Sequence, residues 1–195
     1  KKIHEFLGWC DELEIPVVTL YMLSIENLTK RSTDELDDLL GIIGDVATEL
    51  AEAKKWRVRL VGDRDSLPVQ LRERIEIAEK ATADLDGLHV NLAVAYGGRN
   101  EIAEAMKNIL RKHSEAGTKI EDLAELLSPE LITEHLYTGG QPDPDLIIRT
   151  SGEERLSGFL LWQSAYSELY FTEVYWPAFR MIDFWRAVRI YQQRE

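Results

Sequence analysis

His89-Val90-Asn91-Leu92-Ala93-Val94-Ala95-Tyr96-Gly97-Gly98-Arg99-Asn100-Glu101 is the stretch that decides the fold. Its first part is apolar enough to be a strand buried on both faces, and the paired glycines stop it. Ile102, Ala105, Met106, Ile109 and Leu110 then recur at helical spacing, so a strand turns directly into a helix. The same alternation extends in both directions. Upstream, Ile3, Phe6, Leu7 and Cys10 mark one helix face, and Pro16 precedes an apolar strand from Val17 to Leu23. Leu36, Leu39, Leu40, Ile43, Val46, Ala47 and Leu50 predict a long amphipathic helix, with Ser32 or Thr33 as its cap. Arg57 to Val61 is a short strand ending at Gly62-Asp63, and Leu71, Ile75 and Ala78 predict a helix. Downstream come helical pieces from Ile120 to Leu127 and Pro129 to Tyr137, a turn at Gly139-Gly140-Gln141-Pro142, a strand core from Leu146 to Ile148, and a last helix from Ile182 to Gln193. Strands separated by helices need crossover connections. The expectation is one α/β domain: a mostly parallel central β-sheet surrounded by helices.

Bulk properties narrow the function. The chain has 195 residues, 45% hydrophobic and 30% charged, with a formal charge of −12. That acidic excess argues against nucleic acid, which needs a broad basic face. It leaves room for a small anion, which needs only a few well-placed arginines. Cys10 is the only cysteine, so no intrachain disulfide and no cysteine zinc site are expected, in keeping with a cytoplasmic location. No apolar run has the length of a membrane span, and no signal-peptide pattern is present. The chain opens on Lys1-Lys2-Ile3-His4 inside a helical pattern, and the natural N-terminus is expected upstream.

Ligands of parallel α/β sheets bind beyond the C-terminal ends of strands. Four such regions carry polar residues. After the first strand come Ser24, Ile25, Glu26, Asn27, Leu28 and Lys30, which suit either a ligand loop or a helix cap. Gly97-Gly98 reads as a tight turn with Arg99 or Glu101 bonded internally. The segment Pro142-Asp143-Pro144-Asp145-Leu146-Ile147-Ile148-Arg149-Thr150-Ser151-Gly152-Glu153-Glu154-Arg155-Leu156-Ser157-Gly158 puts two arginines and several hydroxyls after a strand. They would cradle phosphate, or else the arginines pair with neighbouring carboxylates. Glu168 is a lone carboxylate in an aromatic run, so it either pairs with an arginine or coordinates a hard cation such as magnesium. The four histidines lack ligand spacing. Together these residues suit a ligand with a diphosphate head and an apolar tail. A nucleotide-binding P-loop pattern is absent.

TLYMLSIENLTK, NLAVAYGGRNEI and, above all, PDPDLIIRTSGEERLSGFLLWQSAYSELYFTEVYWPAF resemble the conserved segments of cis-prenyltransferases, the family containing undecaprenyl diphosphate synthase. The likeness covers Trp9 to Phe184. It implies a magnesium-dependent (Mg2+) condensation of isopentenyl diphosphate with an allylic diphosphate, a hydrophobic tunnel walled by the helix from Leu36 to Leu50, and a homodimer. By position it implies that Arg149, Arg155, Leu156 and Ser157 bind the isopentenyl diphosphate head. It assigns Ser24, Ile25, Glu26, Leu28 and Lys30 to substrate contact, Asn27 to the proton-removal step and Glu168 to magnesium.

Some positions depart from the family pattern. The N-terminal motif, an aspartate followed by Gly-Asn and an arginine, is missing and is expected upstream of Lys1. Lys30 replaces an arginine, with Arg31 next, and Gly158 replaces an asparagine. RLSGFLLWQSAYSE is similar to actinobacterial short-chain members, the Z,E-farnesyl diphosphate synthases. Met22 sits where bulk would limit chain length. A short product from geranyl diphosphate is expected; the alternatives are a long-chain synthase or a non-catalytic partner subunit. Peripheral membrane contact and an interface role for the aromatic stretch from Tyr166 to Trp185 are left open by the sequence.

Overall fold

The computed structural model describes residues 1–30 and 33–194. Its helices, in chain order, are α1 (Lys2–Glu12), α2 (Ile25–Lys30), α3 (Thr33–Ala53), α4 (Val69–Ala81), α5 (Gly98–Glu115), α6 (Ile120–Leu126), α7 (Pro129–His135) and α8 (Met181–Gln192). The strands are β1 (Val17–Ser24), β2 (Arg57–Val61), β3 (His89–Tyr96), β4 (Leu146–Arg149) and β5 (Glu168–Phe171). Every strand pairing is parallel. β3 lies between β1 and β2, and β4 pairs with β5 separately.

β3 is central because its residues are apolar on both faces. Val90, Leu92 and Val94 pack into the main core with Leu7 and Cys10 of α1, Ile43, Ala47 and Leu50 of α3, and Ile75 of α4. Ala93 and Tyr96 point the other way, into a smaller cluster with Val61 and Leu160. Burial, helped by the adjacent Asp11, pushes the Cys10 thiol up to about 12. An aromatic group fastens the last helix to the first: Phe184 of α8 stacks on Trp9 and meets the edge of Phe6.

The outer edge of β2 is covered by α4. Thr82 Oγ1 accepts the Val58 N–H at 2.9 Å, and Glu79 Oε1 accepts the Leu60 N–H at 2.8 Å. Those side chains satisfy backbone groups that an edge strand otherwise leaves open. Gly62 follows at φ +154, where a Cβ would collide with the Val94 carbonyl, so the β2 turn needs glycine.

Residues 25–30 form the short helix α2: of the ligand loop and the helix cap that the sequence offered, the structure has the cap, with Ser24 Oγ accepting the Asn27 N–H at 3.1 Å. One element differs from the sequence expectation. Residues 168–171 form β5, a strand reached through turns instead of a helical crossover, so no helix periodicity announces it. β1 also breaks strict alternation. Tyr21 pairs with Ala93 and Leu23 with Val94, leaving Met22 in a bulge; Ser24 then pairs with Tyr96, skipping Ala95. The candidate cap at Ser32 lies outside the described residues, as does the side chain of Thr33.

Candidate active site

β4 ends at Arg149, and the chain then turns through several residues at positive φ: Ser151, Gly152, Ser157, Gly158 and Leu160. Backbone of that kind is costly for non-glycine residues and persists where surrounding contacts hold it. Here Arg149 supplies some of them. Its guanidinium donates to Ser157 Oγ at 2.8 Å, to the Arg155 carbonyl and to the Glu153 carboxylate. Arg155 Nη2 lies 2.9 Å from the other Glu153 oxygen. Both guanidinium groups are therefore gathered on one carboxylate, beside one hydroxyl. Burial foremost, then the neighbouring Arg155, lower the Arg149 pKa, while Glu153 pairs with both guanidinium groups. The sequence left open whether these arginines meet phosphate or carboxylate. Glu153 fills the position in the structure, and an anionic group with more oxygens is a stronger bidentate partner for the same two forks.

The end of β1 stands beside this cradle, joined to it by a residue the sequence reading did not single out. Tyr21 lies stacked on Phe159, with centroids 4.7 Å apart and planes 12° apart. Burial raises its phenol pKa foremost; a hydrogen bond with Ser24 and the charge of Arg149 oppose the shift. Tyr21 thus touches both motifs. Its one advance signal was an aromatic side chain at the C-terminal end of a strand. Ser24 and Asn27 are half-buried and occupied with the α2 cap. Ile25 reaches the backbone of Gly97, and Leu28 packs on the main core. Glu26 and Lys30 are exposed and pair with each other at 3.2 Å.

Behind Arg149 opens a cavity of about 860 Å³. Arg149, Leu156 and Ser157 line it, as do Leu20 and Met22 of β1. Ile3, Phe6 and Cys10 of α1 and Leu39, Ile42 and Ile43 of α3 supply apolar wall. Consecutive residues of β1 and β4 contribute, so the space runs along the edges of these strands that carry no neighbour in the sheet. Its size suits a small apolar ligand.

Glu168 is not part of this gathering. It opens β5 opposite Leu146, while Arg149 lies opposite Phe171. Three steps of strand put its backbone about 10 Å from that of Arg149. Its carboxylate pairs with Arg194. Among the described residues no three His, Cys, Asp or Glu side chains form a metal cluster. The residues described therefore do not build a magnesium site by themselves. Magnesium commonly binds through one or two carboxylates together with the phosphates of a substrate.

Substitution Arg149→Ala removes two charge-assisted contacts to an anion and leaves Glu153 facing the cradle. Affinity for inorganic diphosphate, measured by titration calorimetry, is expected to fall about tenfold to a hundredfold, the equivalent of about 1.5–3 kcal/mol. Unchanged affinity would remove Arg149 from the site.

The family model described as putative undecaprenyl diphosphate synthase matches residues 1–195. An isoprenyl transferase from Streptomyces avermitilis is 55% identical over 193 residues, covering 99% of this chain and 75% of the relative. A (2Z,6E)-farnesyl diphosphate synthase from Mycobacterium tuberculosis is 52% identical, with 99% and 74% covered. Among solved structures, lavandulyl diphosphate synthase from Lavandula x intermedia, in complex with dimethylallyl diphosphate, superposes with a TM-score of 0.89 at 32% identity over 100% of this chain and 84% of that one. A probable undecaprenyl diphosphate synthase from Campylobacter jejuni gives 0.84 at 33% identity, with 100% and 88% covered. With a strand-end arginine cradle opening on an apolar cavity, this chain belongs to the prenyltransferase family of undecaprenyl diphosphate synthase.

Proposed function

We propose that this protein condenses isopentenyl diphosphate with an allylic diphosphate, geranyl diphosphate foremost, releasing diphosphate and a short Z-prenyl diphosphate such as Z,E-farnesyl diphosphate. The observation that carries this reading is the meeting of Arg149 and Ser157 at an apolar cavity, with Arg155 joined to Arg149 through Glu153. The 52% identical relative named (2Z,6E)-farnesyl diphosphate synthase supports the product length.

In this reaction the two guanidinium groups and the Ser157 hydroxyl hold the head of isopentenyl diphosphate, with Glu153 giving way to it. Fixing that head aims the terminal double bond at the allylic carbon, and holding both substrates together supplies much of the acceleration. The new carbon–carbon bond forms as the allylic carbon–oxygen bond breaks. A proton then leaves the carbon next to the resulting cation, giving the cis double bond. Asn27 stands at the strand end nearest this step in sequence, but an amide is a poor base, and the departing diphosphate is the stronger proton acceptor. Magnesium, when bound with the diphosphates, would spread the charge of the leaving group. Glu168 would offer it a carboxylate oxygen only after releasing Arg194.

The prenyl tail takes the cavity, with α3 as one wall and Met22 in its path. The protein works as one catalytic domain in a cytoplasmic homodimer. Tyr166, Tyr175 and Trp185, exposed at 97%, 69% and 45%, suit such an interface. No helix among the described residues is long and apolar enough to cross a membrane.

Incubated with magnesium, labelled isopentenyl diphosphate and geranyl diphosphate, the protein is expected to yield a farnesyl-length product whose new double bond is cis. Absence of magnesium-dependent incorporation would support the non-catalytic alternative. In the same assay Met22→Ala is expected to shift products to longer chains, read by mass spectrometry after dephosphorylation. An unchanged distribution would show that Met22 only fills the core.

A further inference from the structure

Glu101 lies in the first turn of α5, only 1% exposed. A buried carboxylate is costly unless donors surround it, and here three groups do so. Tyr96 Oη donates to Oε2 at 2.5 Å, the Tyr137 N–H to Oε1 at 2.9 Å, and the Gln163 amide to both oxygens at 3.1 and 3.2 Å. Burial pushes the Glu101 carboxyl up while these donors pull it back. Each donor belongs to a different part of the chain, and two lead into the segment after Arg155. Tyr96 Oη accepts the Leu160 N–H at 3.1 Å, and Gln163 also donates to Thr138 at 3.0 Å. A third tie runs alongside: the Gly98 N–H donates to the Gly158 carbonyl at 3.0 Å, an approach that a side chain at Gly98 would block. The segment held this way carries Ser157 at φ 49 and Leu160 at φ 45, conformations that do not persist unsupported.

We propose that Glu101 is a positioning residue of the diphosphate cradle: through Tyr96 and Gln163 it holds residues 157–163 so that Ser157 and the arginines meet the ligand together. The proposal rests on the reading that Arg149, Arg155 and Ser157 bind isopentenyl diphosphate. Glu101 does not touch substrate, and it acts only through the backbone it fixes. Its substitution is therefore expected to weaken binding of isopentenyl diphosphate beyond the loss of stability that unpaired buried donors bring.

Glu101→Gln retains the shape but cannot accept from all three donors. Tyr96→Phe keeps the buried ring and severs the link to Leu160. Steady-state kinetics with each variant are expected to show a KM for isopentenyl diphosphate raised about tenfold or more, while the KM for the allylic substrate stays within about twofold of the starting protein's. In a Ser157→Ala background the Glu101→Gln effect is expected to shrink, since coupled residues are not additive. If both variants lower only the melting temperature, or if the loss is undiminished beside Ser157→Ala, Glu101 is a structural residue and the proposal fails. Arg149→Ala serves as the reference. If it too leaves isopentenyl diphosphate binding intact, the cradle reading itself is wrong and the positioning role falls with it. If Glu101→Gln does not fold, Tyr96→Phe decides alone by the same criteria.

Discussion

Parallel pairing along β3 sets the geometry on which everything else depends. The strand is hydrogen-bonded on both sides and buried on both faces, so its C-terminal end is fixed in space. From that end come Tyr96, Gly98 and Glu101, and each reaches into the turns that follow Arg155. β1 is registered against β3 up to Ser24, so α2, which carries Asn27, starts beside Tyr96. The candidate site residues from Glu153 to Ser157 lie on a segment with little regular structure of its own, and the end of a rigid strand positions it.

A net charge of −12 is compatible with the proposed anion site. Net charge describes the distant field, whereas binding depends on donors within a few ångströms. Arg149 and Arg155 are kept close by Glu153, which offsets repulsion between them. That carboxylate also spares Arg149 an unpaired, partly buried charge. In the proposed reaction this arrangement would make exchange of one anion for another the central event of binding. Apolar wall from α1, β1 and α3 then favours a ligand whose remainder is hydrocarbon.

Much of this was legible in the sequence, for identifiable reasons. β2 and β3 were readable because charged–apolar alternation and a bounded apolar run are direct traces of burial. α3 was readable because its apolar face persists over many turns. α2 was legible only as the helix-cap alternative at Ser24, since a helix of this length has no periodicity to show. β5 was missed because the chain between β4 and β5 contains turns where a crossover helix is the usual connection. The bulge at Met22 was not legible, because it depends on the partner strand, where Ala95 at φ 52 takes the compensating irregularity. At the site, pairing of the two arginines with a neighbouring carboxylate was one of the two readings the sequence left open, and the internal bonding of Glu101 was legible. Glu153 as their shared partner, Tyr21 as the bridge, and the distance of Glu168 from the cradle all depend on register, which one sequence does not reveal.

The central claim is that Arg149, Arg155 and Ser157 together grip a diphosphate that takes the place of Glu153. A crystal structure of the protein with isopentenyl diphosphate tests it most directly. The account predicts diphosphate oxygens within hydrogen-bond distance of both guanidinium groups and the Ser157 hydroxyl, Glu153 turned away, and the hydrocarbon end directed into the cavity. Diphosphate density elsewhere, with Glu153 still joined to both arginines, would contradict it.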